Sequence, residues 1–116
     1  MTSSSVNVIL HYNGAIIKTK HGSTFVSDSP KVIQLDNKMS LHALKQAIGN
    51  KICLPNGKVV NDIYFQLPVS FVGNYGQYRA YILHDDADVM TMFSMFKQVS
   101  NLTCLKLYIT TTNTPT

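Results

Sequence analysis

The amino-acid sequence predicts an α+β domain in which one mixed sheet of four to five strands packs against two helices. Two observations lead to this fold class. Apolar residues alternate with a period of two in several short segments, as half-buried strands require, and recur at helical spacing in two others. The length of 116 residues, with 45% apolar and 14% charged residues, suits one hydrophobic core. The expected order is hairpin, helix, two strands, helix, strand.

The chain is expected to open with a β-hairpin. Residues 6–12 alternate as a strand and end at Asn13 and Gly14. An Asn-Gly pair between apolar runs is a strong hairpin signal, because both residues tolerate positive φ. Residues 15–17 would begin the return strand, and the stretch 18–30, rich in Gly, Ser and Thr, would form a loop or a ragged sheet edge.

The first helix is expected to follow residues 31–35, which would resume the strand interrupted after residue 17. Ser40 precedes it and belongs to the residue types that cap helix N-termini. Apolar residues recur at helical spacing over 41–48, and Gly49 with Asn50 forms a stop signal.

Three strands are expected in the second half of the sequence. Residues 63–67 alternate, and Pro68 marks a strand end or an edge position. A turn at 73–76 leads to the strand 78–83, and 105–109 forms the last strand.

The second helix carries the stronger amphipathic pattern. Asp85 or Asp86 can cap it, and Asp88 is favourable near the positive end of the helix dipole. Its buried face is predicted from four apolar residues at offsets of three, four and seven: Val89, Met92, Phe93 and Phe96. Met90 and Met95 lie off this face. Exposed thioethers are typical of adaptable protein-binding surfaces, and packing under the next loop explains them equally well.

These elements fit a ubiquitin-like β-grasp, in which a mixed sheet curls around a helix. That arrangement needs the first and last strands to pair in parallel at the centre of the sheet, and a split ferredoxin-like order is the competing topology. We expect residues 1–5 to be a disordered start, 6–110 a single domain, and 111–116 a linker tail from a longer protein.

The sequence contains no pattern typical of catalysis, metal binding or cofactor binding. The histidines at 11, 21, 42 and 84 have none of the spacings of metal sites. No serine lies in G-x-S-x-G, and no glycine-rich phosphate loop is present. We therefore expect no enzyme, no metal, no cofactor and no small-molecule substrate.

Two further observations concern location. The two cysteines are too few for the disulfide framework of a small secreted domain, and no C-x-x-C is present. The sequence has neither a signal-peptide pattern nor an apolar run near the roughly 20 residues of a membrane span. An intracellular protein that does not enter a membrane is expected.

Charge is distributed unevenly along the chain. Seven lysines and two aspartates in residues 1–60 give a formal charge of +5, whereas three cations and four aspartates in 61–116 give −1. Three of those aspartates lie within 85–88. Contact between opposite charges on two copies would use this asymmetry, and evenly solvated lysines explain it equally well.

Several motifs in order resemble a known family. They are VNVILHYNGAI, SLHALKQAI, YFQLPV, YILHDDADVMTMFSMF and LKLYI, which span residues 6–110. Together they resemble the amino-terminal domain of plant Mutator-like transposases, and that module is similar to the Phox-and-Bem interaction domain, a β-grasp scaffold. The resemblance implies a nuclear protein-assembly domain, with the transposase's catalytic carboxylates in a separate domain.

In Phox-and-Bem domains, a lysine on the first strand of one copy pairs with acids on the next. The corresponding position here is Ile9, and the acidic loop expected near 71–76 holds no acid. We therefore expect weak self-association or another protein partner, through the following protein-binding residues: Asp85, Asp86, Asp88, Lys18, Lys20, Lys45, Ile9, Met90 and Met95. The alternative function is a DNA-binding accessory domain that uses the basic N-terminal half.

Overall fold

Seven strands and two helices form the part of the chain that the computed structural model describes, residues 5–20, 22–72, 75–98 and 104–114. The strands are β1 (Ser5–Tyr12), β2 (Ala15–Thr19), β3 (Gly22–Val26), β4 (Lys31–Asp36), β5 (Lys58–Val72), β6 (Tyr75–Ile82) and β7 (Leu105–Asn113). The helices are α1 (Leu41–Ile52) and α2 (Asp86–Gln98). The α+β class with two helices and a mixed sheet is confirmed, and the expected count of four to five strands is wrong.

All seven strands lie in one sheet, in the order β2-β3-β6-β5-β7-β1-β4. The first and last strands, β1 and β7, pair in parallel, with Leu10 opposite Leu107. This pairing was expected from the dense apolar faces of both segments. On the other side of β1, β4 is antiparallel, with Val6 opposite Leu35.

The expected opening hairpin is wrong. Asn13 does adopt a positive φ of 54°, but β1 has β4 and β7 as its neighbours, so β2 cannot pair with it. Instead β2 pairs antiparallel with β3, which lies in the stretch 18–30 expected to be a loop or a ragged sheet edge. The physical reason lies in the core: β4 and β7 bring buried Leu35 and Leu107 beside β1, whereas β2 is largely exposed.

The N-termini of both helices agree with the predicted boundaries, whereas the C-terminus of α1 does not. The Ser40 hydroxyl accepts a hydrogen bond from the Ala43 amide, at 3.1 Å, as an N-cap should. Helix α1 then continues through Gly49 and Asn50, so the stop expected there is wrong. It ends at Cys53, whose φ of 54° and ψ of 57° are left-handed.

Both helices cover the same face of the sheet, which we call the front face. Strand residues with the parity of Leu10 and Leu107 point to it, and those at the centre of the strands, such as Val8 and Leu105, are fully buried. The helices contribute the following buried residues: Leu44, Ile48 and Ile52 from α1, and Val89, Met92 and Phe93 from α2. The predicted core stripe of α2 is thus confirmed, with Phe96 partly buried at its end.

The opposite face, the back face, is partly covered by the β2–β3 hairpin. Phe25 is buried there, with its ring centroid 6.1 Å from that of His11 and 5.9 Å from that of Tyr108. The Tyr108 hydroxyl donates to the Gly14 carbonyl, and His11 Nδ1 lies 2.9 Å from the Ser27 hydroxyl oxygen. These contacts give the sheet a small second core.

Close backbone approach holds the hairpin to the sheet. Gly22 of β3 lies opposite Tyr78 of β6, and a side chain at Gly22 would collide with the Tyr78 carbonyl. The buried Gln66 side chain of β5 donates to the Ser23 carbonyl at 2.7 Å. Glycine at position 22 is therefore required by both its φ of 94° and the space around it.

The chain ends extend the sheet further than expected. Ser5 belongs to β1, and β7 continues to Asn113, so residues 111–113 are strand. Positions 73–74 of the expected turn, His21, 1–4 of the expected disordered start and 115–116 of the expected linker lie outside the described residues.

Replacing Phe93 should test the core. Phe93 is 5% exposed between α2 and the front face, so Phe93→Ala should lower the free energy of unfolding by about 3–5 kcal/mol, through lost burial and the cavity left behind. Urea unfolding followed by circular dichroism measures this change. The exposed Ser94→Ala is the matched control on the same helix. Equal midpoints for both variants would contradict the helix orientation.

Replacing His11 should alter the pH dependence of stability. Burial and the nearby Lys106 ammonium lower the pKa of His11 below its ordinary 6.5. Below about pH 6.5 the unfolded chain therefore binds a proton more readily than the folded one, so stability falls as pH drops towards the folded-state pKa. The loss of unfolding free energy between pH 7.5 and 5.5 should be smaller in His11→Gln than in wild type.

Urea midpoints at the two pH values give this comparison. The exposed His84→Gln serves as the control for the loss of an imidazole elsewhere in the protein. An unchanged pH dependence in His11→Gln would show that His11 does not titrate differently in the folded state.

Candidate functional site

The three expected acidic residues come together at the start of α2, where each also has a structural role. Asp85 caps the helix by accepting from the Asp88 amide at 2.9 Å, and Asp88 accepts from the His84 amide at 2.7 Å. Asp86 accepts from the Leu41 amide at 2.7 Å, which ties the start of α2 to the start of α1. The cluster therefore stabilises two helix N-termini.

The same carboxylates also face solvent. Asp85 and Asp86 are exposed, and the Asp88 side chain is 40% exposed. Each of the three hydrogen bonds described above uses one oxygen of its carboxylate. The cluster can thus present negative charge to a partner while it caps the helices.

Met90 adds an apolar side chain to this acidic region. It lies on α2 four residues after Asp86, hence on the same side of the helix, and is 69% exposed. We call Asp85, Asp86 and Met90 the acidic surface. Met95 does not belong to it, because it is half-buried against the core and lines a separate cleft of about 410 Å³ with Phe65.

The expected basic residues are not gathered on one face. Lys18 is exposed on β2, at one edge of the described sheet, and Lys20 lies in the turn after it. Lys45 lies on α1, which packs against β4 and β5. Ile9 is half-buried on the back face, opposite Val32 of the edge strand β4.

A groove of about 540 Å³ lies between α1 and the start of β5. Its helical wall holds four residues at offsets of three, four and seven: His42, Lys45, Gln46 and Gly49. Lys58 and Val59 of β5 lie on its other side, and both are exposed. Half-buried Leu54 and buried Val60 complete an apolar lining.

No binding role was expected for His42, Gly49 or Lys58. The helical stripe that holds His42 and Gly49 is visible in the sequence, but it reads as a solvated helix face. Only the packing of α1 against β5 brings Lys58 and the apolar pair Val59–Val60 in front of it. This juxtaposition joins residues distant in sequence and follows from tertiary structure.

The end of α1 shapes one end of this groove. The Leu54 amide donates to the Gly49 carbonyl at 3.4 Å, and the amide of Cys53 donates to the same carbonyl. Such bonds close a helix through a residue in the left-handed conformation, a position that usually holds glycine. Cys53 occupies it with a side chain, so the cap is strained.

Replacing Cys53 by glycine should therefore stabilise the protein. Relief of the left-handed strain outweighs the greater freedom of glycine in the unfolded chain, and Cys53→Gly should raise the unfolding free energy by about 0.5–1 kcal/mol. Urea unfolding measures the change. Asn50→Gly, inside the same helix, should instead lower stability by up to about 1 kcal/mol. Destabilisation by Cys53→Gly would contradict the cap geometry.

Three results complete the description. Among the described residues, no three His, Cys, Asp or Glu side chains lie together as a set that could hold a metal ion. None of the helices described is both long and apolar enough to cross a membrane. Comparison of the chain with protein-family models, curated proteins and solved structures gives no match. The features that bear on function are therefore the acidic surface and the groove between α1 and β5.

Proposed function

We propose that this chain is a protein–protein interaction domain that associates weakly with further copies of itself and has no enzymatic activity. One observation carries the proposal: Met90 is the most exposed large apolar side chain described, and it lies one helical turn from Asp86. An exposed thioether beside carboxylates combines adaptable apolar contact with charge. The lysine-rich first half of the chain supplies the opposite charge.

The chain topology supports a scaffold of the β-grasp type. Without the β2–β3 hairpin, the sheet order becomes β4-β1-β7-β5-β6, with the parallel pair β1–β7 inside and both helices on one face. The parallel β1–β7 pair supports this proposal, because a β-grasp needs its first and last strands to pair in parallel. We accordingly propose a β-grasp with an inserted hairpin. We also propose that the domain comes from a Mutator-like transposase and that it acts in the nucleus, as the resemblance of its motifs implies.

The association should be weak and sensitive to salt. Exposed ion pairs contribute about 0–1 kcal/mol each, so burial of Met90 must add to them. Raising the salt from about 0.1 M to 1 M shortens the Debye length from about 10 Å to about 3 Å. The interface pairs one copy's acidic surface with basic residues of another, among which we place Lys18 at the exposed β2 edge. Such a contact does not close on itself, so oligomers grow with concentration.

Light scattering of the full 116-residue chain tests this function. The weight-average mass should increase with protein concentration at 0.1 M NaCl and return towards the monomer at 1 M. Met90→Gln should weaken the association about tenfold, because it removes apolar burial without touching a helix cap. Met90→Leu is the matched control and should associate like the wild type.

A substitution at Asp85 or Asp86 is a poor test, since it would also remove a helix cap. A monomeric mass at every concentration and both salt levels would overturn the proposed self-association. Binding of a random 20-base-pair duplex, with affinity falling steeply as salt rises, would support the DNA-binding alternative instead.

A further inference from the structure

The groove between α1 and β5 has a feature that folding alone does not require. Gly49 lies inside α1, where glycine costs about 0.5–1 kcal/mol relative to alanine. A Cβ atom there would lie 3.7 Å from both Leu54 Cδ1 and Val60 Cγ2, an ordinary van der Waals distance. Alanine would therefore fit. Glycine leaves the apolar lining of the groove uncovered, whereas a longer side chain would lie across it.

The polar residues around this apolar lining carry positive charge. Lys45 stands on the helical wall and Lys58 on the opposite wall. The groove-lining residues include no carboxylate, and neither Lys45 nor Lys58 takes part in the ion pair between His84 and Asp88. The amide side chain of Gln46 adds a hydrogen-bonding group to the helical wall.

We propose that this groove is a second binding site, which takes an acidic peptide segment of a partner protein with an apolar side chain between its carboxylates. The carboxylates pair with Lys45 and Lys58, and the apolar side chain covers Leu54 and Val60. This site uses neither Met90 nor association between copies, so it goes beyond the proposed function. The ligand must be both anionic and apolar, because the groove is both cationic and apolar.

A nucleic acid fits this groove less well than a peptide. Single-stranded nucleic acids bind through aromatic side chains on which bases stack, along an extended basic track. The groove lining contains no Phe, Tyr or Trp, and two lysines neutralise too few phosphates for a strong contact. The two lysines, one on each wall, instead complement the carboxylates of an acidic peptide.

Titration of the ¹⁵N-labelled full chain by NMR tests the site. The probe is the tripeptide Asp-Leu-Asp, acetylated and amidated at its ends. Amide shifts should change in α1 around Lys45 and in β5 around Lys58, and the affinity should fall as NaCl rises from 0.05 to 0.5 M. The peptides Asn-Leu-Asn and Asp-Ser-Asp should bind about fivefold or more weakly, because each lacks one of the two required features.

Three variants separate binding from folding. Gly49→Leu fills the groove and should weaken binding about tenfold while leaving the urea midpoint equal or higher. Gly49→Ala, its matched control, should raise the midpoint and keep most of the binding. Lys58→Gln should weaken binding about two- to fivefold, the effect of one exposed charge pair.

Some outcomes would overturn the proposal. Equal binding of Asn-Leu-Asn and Asp-Leu-Asp would remove the role of charge, and full binding by Gly49→Leu would place the peptide elsewhere. An eight-nucleotide thymidine oligomer that shifts the same amides at lower concentration would make the groove a nucleic-acid site. Because the readout is peptide binding and not the mass of the protein, failure here is distinguishable from failure of self-association.

Discussion

The parallel pairing of β1 with β7 is the constraint on which the rest of the fold depends. These strands lie at opposite ends of the sequence, and Leu10 and Leu107 meet at the front face beneath the helices. Closing so long a loop costs entropy that only many contacts formed together can offset. The partners of β4 and β5, and with them the position of α1, follow once this pair forms.

The sequence predicted what local physics decides. The spacing of Val89, Met92 and Phe93 identified the buried side of α2, and Ser40 and Asp85 were read as caps because their side chains match helix N-termini. These features depend on neighbours within a few residues. Period and capping chemistry therefore indicated both helices and the central strands.

The strand partners of β1, the end of α1 and the groove could not be predicted from neighbouring residues. Asn13 adopts the positive φ that asparagine tolerates. The strand partners of β1, however, are determined by the apolar faces of β4 and β7. The end of α1 at Cys53 contradicts residue preference, because the left-handed position holds a side chain instead of glycine. The groove forms because the packing of α1 against β5 places Lys58 opposite the α1 residues that line it. Partner choice between distant segments is tertiary and leaves no local pattern.

The attachment of the β2–β3 hairpin has a consequence for how the molecule opens. Among the described residues, the hairpin joins β6 through Gly22 and Tyr78, while the main core lies on the other face. Regions with few buried contacts open at lower free energy than the whole domain unfolds. The protein therefore has two levels of local stability. Amide hydrogens of β2 will exchange with solvent far faster than those of β1 and β7.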